Sequence, residues 1–181
     1  MLSGRLVGWV LLCAGLVGAL AAFVLAVEKF ALLKDPGYRP SCSINPILSC
    51  GSVMTTGQAE VFGFPNPLIG VAAFPVVVAT GAALLAGARL PRWWWLGMQA
   101  GALFGVGFVH WLAFQSLYRI GALCPYCMAV WVVMILIFTY VTVHNVGGVL
   151  ARVHTAVPVA WLLLLAGLIG VRFWDYWRTL L

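Results

Sequence analysis

Four of the five cysteines in this 181-residue chain fall into two pairs whose spacing suits thiol chemistry. Cys124 and Cys127 stand in "CPYC", and Cys42 and Cys50 bracket the polar stretch "SINPILS". A C-x-x-C pair can close a disulfide and reopen it when another thiolate attacks. Pro125 suits the first position of a helix, because its missing N–H would be unpaired there anyway. Cys124 is then the N-cap and Cys127 lies one turn in, at a terminus whose free N–H groups and dipole favour thiolates. Cys127 is about 4.5 Å deeper along the axis, the thiol nearer to any lipid-soluble electron carrier and the one expected to meet it as a thiolate. Met128 follows Cys127, so the haem-attachment pattern C-x-x-C-H is absent. The turn-formers between Cys42 and Cys50 predict a flexible, exposed, hairpin-like loop. A static disulfide stapling that loop is the competing reading. One C-x7-C with one C-x2-C is poor spacing for a four-cysteine zinc site, so no metal is expected.

These pairs can cooperate only if the chain brings them to one place. With 64% hydrophobic and 8% charged residues and a mean hydropathy of +1.08, this is not an ordinary soluble domain, which carries about a quarter charged residues. Uncharged runs extend over Leu6–Val27, Val61–Ala88, Trp93–Tyr118, Ile120–Ala151 and Val153–Val171. Each reaches or approaches the roughly 20 apolar residues that cross a bilayer. Lipid offers no partner for unpaired backbone groups, so the spans must be helices. The expectation is an all-α integral membrane protein, one domain over 1–181. Its helices are placed at about 6–30, 66–88, 92–118, 124–148 and 153–175, with an outer loop over 31–65. The first run is read as a retained helix, because its 22 uncharged residues exceed a signal-peptide core of about 7–15.

Parity then places the cysteines. The 41–50 loop follows span one and "CPYC" follows span three, so all four relay cysteines face the side opposite the N-terminus. Basic residues fall on both sides and do not fix the orientation. All four acids, Glu28, Asp35, Glu60 and Asp175, lie on the cysteine side, and disulfide cycling belongs outside the cytosol. The expected arrangement is a multi-pass plasma (inner) membrane protein with a cytoplasmic N-terminus and extracytoplasmic cysteines. The net charge of +6 is scattered over loops and interfaces and makes no nucleic-acid surface. Two pairs on one face form a relay: external protein, Cys42/Cys50, Cys124/Cys127, membrane acceptor. Cys13 reads as a packing residue, and His110 and Gln115 as interhelical hydrogen bonders. Trp93-Trp94-Trp95 reads as an interfacial belt, and Gly101 and Gly105 as close-packing positions.

The stretches "CSINPILSCGSVMTT", "FGFPNPLIG" and "IGALCPYCMAVW", in that order, resemble the bacterial branch of the vitamin K epoxide reductase family over roughly residues 6–175. The resemblance implies a four-helix bundle around a quinone, a fifth helix, and a short half-helix over the site, here Ser52 to Phe62. It implies that Cys127 meets the quinone with Cys124 as its disulfide partner. Cys50 would attack Cys124, and Cys42 would engage the external protein. Asn66 matches the family's hydrogen-bond donor to a quinone carbonyl; read without the family, it could equally cap the second span. Thr56 stands where the family usually has serine and keeps the hydroxyl. Trp131 stands where animal members have a quinone-binding tyrosine, and an indole N–H can donate but not accept.

The implied activity is reoxidation of a secreted thioredoxin-like (DsbA-like) protein, with two electrons passed to a quinone (menaquinone or ubiquinone). Some relatives carry a fused thioredoxin-like domain; none is expected here, so the partner is expected to be a separate protein. Two other readings use the same cysteines. One is reduction of vitamin K epoxide or quinone. The other is a non-catalytic scaffold whose disulfides never change state. The unrelated four-helix bacterial disulfide oxidase carries its cysteine pairs in the reverse order.

Overall fold

A computed structural model describes residues 3–179. Among them α1 (Gly4–Lys34), α3 (Pro67–Leu85), α4 (Arg92–Gln115) and α5 (Pro125–Val146) form the frame. A π turn, Ser116–Ile120, continues α4. These four helices are long and apolar enough to cross a membrane. The protein is an all-α integral membrane protein. A fifth apolar helix, α6 (Ala156–Arg172), has 17 residues, about 25 Å of rise, which is the short end of what spans a bilayer. Two short helices, α2 (Cys50–Met54) and a 3₁₀ turn at Gly57–Glu60, lie in the first loop, and α7 (Trp174–Trp177) ends the described chain. The half-helix anticipated over Ser52 to Phe62 is therefore two pieces broken at Thr55–Thr56.

Helix α1 packs on both α3 and α5, and α4 packs on α5. The α1–α3 contact is tight because it runs through glycines. A Cβ on Gly81 would sit 2.5 Å from the backbone nitrogen of Leu12 and 2.8 Å from the carbonyl oxygen of Gly8, so only glycine fits. By contrast the backbones of α3 and α4 barely approach each other; side chains such as Trp94 and Thr80 bridge them, and the gap holds the site cavity. Gly97 and Gly101 face open space there, with nothing within 4 Å of an added Cβ. The small residues of α4 were expected to bring helices together; Gly101 instead leaves room, and only Gly105 meets a neighbour, the end of Met134.

The tryptophan run also divides. Trp93 is exposed, but Trp95 is buried and stacks on His144 with ring centroids 3.6 Å apart. Trp94 lines the cavity and donates to Thr80 Oγ1 at 3.2 Å. His110 acts as the interhelical bonder expected of it, accepting from Trp161 Nε1 of α6 at 2.8 Å.

Candidate functional site

The loop cysteines are brought to "CPYC" by a backbone pairing 75 residues apart in sequence. Leu48 and Leu123 form a parallel bridge, with Leu123 N donating to Ile47 O at 2.7 Å and Ser49 N to Leu123 O at 2.9 Å. Gly121, at φ 71°, turns the chain out of the π turn into this segment, a conformation that favours glycine. On the loop side Asn45 Oδ1 accepts from the backbone of Ile47 and Leu48, which holds a compact turn. The result is a cluster of sulfurs. Cys42 and Cys50 are disulfide-bonded, Cys124 and Cys127 are free thiols, and Cys50 Sγ lies 3.1 Å from Cys124 Sγ.

The loop is exposed at its tip, at Ile44 and Pro46, as its turn-formers predict, but its two cysteines are buried. Cys42 is 5%, Cys50 0% and Cys124 1% accessible. The pairing with Leu123 and the packing of Leu25 and Met54 around the sulfurs cover them. Cys42 keeps the largest opening of the three.

Cys124 is the N-cap of α5, and Cys127 N–H donates to its sulfur at 3.4 Å. The Cys127 side chain, hydrogen-bonded to Cys124, holds the Cys124 thiol below its ordinary value. The backbone N–H groups of Cys127 and Tyr126 add to this, while burial opposes it. The Cys127 thiol, with the helix terminus second to it, thus favours a thiolate at Cys124, where the sequence predicts one at Cys127: the capping atom, not the residue one turn in, receives the free N–H groups.

Cys127 lines the other compartment, a cavity of about 460 Å³ between α3, α4 and α5. Its walls are almost wholly apolar, Phe74, Phe108 and Met134 among them, with a few polar groups from Lys29, Thr56, Gln58 and Asn66. Asn66, Thr56 and Trp131 all line it. Asn66 does not cap α3 with its side chain. Its Nδ2 donates to Gln58 O at 2.7 Å and its Oδ1 accepts from Val61 N at 3.2 Å, which clasps the 3₁₀ turn to the start of α3. One amide N–H remains for a ligand. Thr56 Oγ1 donates to Val53 O at 2.8 Å, so towards a ligand its hydroxyl can only accept. Trp131 is buried, and its indole has no hydrogen-bond partner among the described residues. The apolar lining with a few hydrogen-bonding groups fits an apolar molecule that carries acceptors.

Over residues 9–142 the sequence matches the Vitamin K epoxide reductase family. The chain belongs to that family. Among curated proteins none matches it significantly. The vitamin K epoxide reductase family comprises membrane oxidoreductases that couple thiol–disulfide exchange to quinones, and the matched segment contains Cys42, Cys50, Cys124 and Cys127. It ends within α5, before α6.

Two residues that matter to the site went unassigned in the sequence. Glu28 and Lys29, at the upper end of α1, are both buried. Glu28 Oε1 accepts from Ser41 Oγ at 2.5 Å, next to Cys42. Lys29 Nζ donates to Met54 O at 2.7 Å and pairs with Glu60 at 2.9 Å. Their signal was present: adjacent charges at the end of a long uncharged run are costly to bury unless partnered. They had been weighed only as markers of sidedness.

Proposed function

We propose that this protein reoxidises a separate thioredoxin-like protein outside the cytosol and delivers the two electrons to a membrane quinone. The observation that carries this reading is the 3.1 Å contact between Cys50 and Cys124, which lies between a disulfide on the loop side and a cavity-lining thiol on the other. The partner's thiolate attacks Cys42, the more accessible of the loop sulfurs, and the mixed disulfide resolves to leave Cys42 and Cys50 reduced. Cys50 thiolate then attacks Cys124 of the closed Cys124–Cys127 disulfide, and Cys127 leaves as thiolate. Cys42 next attacks Cys50, and Cys124 leaves in turn, a step eased by its lowered thiol pKa. The product has Cys42–Cys50 closed and Cys124 and Cys127 reduced, which is the redox state of the structure. A quinone in the cavity would take two electrons and two protons from that pair, reclosing it. The chain's own part is to hold Cys127 at the cavity wall, offer N–H donors from Asn66 and Trp131 to the carbonyls, and exclude water with apolar walls.

The test is capture of the partner. With Cys50→Ser, the Cys42 thiolate can attack the disulfide of an oxidised thioredoxin-like protein and expel one partner thiolate, and with no Cys50 to displace the partner a mixed disulfide on Cys42 should be captured. Absence of any such adduct, with all four cysteines unchanged in redox state during growth, would support the scaffold reading instead.

The same reading gives Asn66 a measurable share. Asn66→Ala removes a donor to the quinone and loosens the clasp on Gln58 and Val61. The loss of such a buried bond costs about 1–3 kcal/mol. Quinone turnover should fall accordingly, about tenfold or more, while exchange between the loop pair and a partner thiol continues. Unchanged quinone turnover would remove Asn66 from the site.

A further inference from the structure

The roof of the cavity consists of two helical pieces, of 5 and 4 residues, neither long enough to hold its shape alone. They supply Val53, Met54, Gln58 and Ala59 to the cavity wall, with Thr56 from the break between them, and the first begins with Cys50. Something must hold them in place, and one edge is accounted for by the Asn66 clasp. The opposite edge meets a single buried cation. Lys29 comes from α1, which is fixed between α3 and α5, and it binds both pieces at once: the carbonyl of Met54 at the end of α2, and the carboxylate of Glu60 at the end of the 3₁₀ turn. The Met54 carbonyl is one of the groups a helix end leaves unpaired. A buried ammonium is stable only when partnered in this way. Lys29 also lines the cavity, so the clasp lies at the site itself.

We propose that Lys29 is a positioning residue for the reaction. By tying both halves of the roof to α1, it keeps the cavity closed over its ligand and keeps Cys50 in register with Cys124. This rests on the quinone reading above for its kinetic consequence, but not for its structural one. The clasp acts through geometry: it changes how well the cavity holds a ligand more than how fast bound ligand reacts.

Three variants test it: Lys29→Met, which loses both bonds; Glu60→Gln, which loses the ion pair at a partly exposed position; and Lys29→Arg, which keeps the charge. Hydrogen exchange over residues 50–62 should quicken about tenfold or more in Lys29→Met, less in Glu60→Gln and least in Lys29→Arg. KM for a short-chain quinone, with a small dithiol as reductant, should rise in the same order while kcat changes less. Unchanged exchange in both Lys29→Met and Glu60→Gln would overturn the proposal, as would a fall in kcat alone with KM unchanged. If Lys29→Met does not fold, Glu60→Gln decides the matter by the same two readouts. Should the unaltered protein turn over no quinone, the functional reading fails, and the exchange measurement alone still judges the clasp.

Discussion

Replacing Cys127 by alanine should abolish quinone reduction and leave one disulfide shared between Cys42–Cys50 and Cys50–Cys124. Without Cys127 the cavity wall has no thiol. Turnover should drop by about three orders of magnitude or more, the scale of losing a group on which the chemistry depends. The second consequence comes from the sulfur cluster. In the structure Cys124 faces Cys50 across 3.1 Å while Cys50 is bonded to Cys42. Cys124 is also the thiol that the Cys127 contact and the helix terminus draw towards ionisation. With Cys127 gone the backbone N–H groups remain. Cys124 can still attack Cys50 and expel Cys42 thiolate, Cys42 can attack back and expel Cys124, and no second inner thiol drains the exchange. Acid quenching, alkylation of free thiols and peptide mapping would locate the bond. The expected product is a mixture, part of the chains holding Cys50–Cys124 with Cys42 alkylated and the rest Cys42–Cys50 with Cys124 alkylated. A protein that holds only Cys42–Cys50 after incubation, with Cys124 alkylated, would show that the two pairs do not exchange and would dismantle the relay.

Much of this site was legible because it is written in residue types. The cysteine pairs are chemically distinctive, Pro125 fixes Cys124 as a cap, and uncharged runs of membrane-spanning length dictate helices whatever their packing. What could not be read is what depends on distant partners. The loop at 42–50 looked mobile because Asn45 and Pro46 favour turns; the burial of its cysteines comes from the pairing of Leu48 with Leu123, which no local pattern encodes. Gly101 and Gly81 have the same composition signal, yet one admits a helix at backbone contact and the other opens a cavity. That difference belongs to the neighbouring helix. Asn66 stood between a cap and a ligand contact, and the structure gives it a different bond, to the roof. Lys29 carried no motif at all. Its meaning appears only when α1 is seen to pass beside two helices too short to stand alone.

Replacing Cys42 by alanine should convert the enzyme from repeated turnover to a single delivery of electrons. Loss of the Cys42–Cys50 disulfide removes about 2–4 kcal/mol of cross-link stabilisation on a typical scale. The loop keeps its Leu48–Leu123 bridge and the bond from Gly51 N to Ser43 Oγ, so Cys50 should stay beside Cys124. The electron count then decides the outcome, since each quinone consumes two thiols. A fully reduced unaltered chain has two pairs and should yield about two quinols without any partner present, the second by exchange from the loop pair to the inner pair. The Cys42→Ala chain retains Cys50, Cys124 and Cys127. It should yield about one quinol and stop with one of these three cysteines still reduced, because a third thiol cannot complete a second pair. Adding the reduced thioredoxin-like partner should not restart it, for Cys50 is fully buried and Cys42 was the only loop sulfur with an opening. The measurement is quinol formed per chain, first from prereduced protein alone and then with excess partner. A burst of about two from Cys42→Ala, or sustained turnover once the partner is added, would mean that electrons enter past Cys42, and the order of the relay would have to be reversed at its outer end.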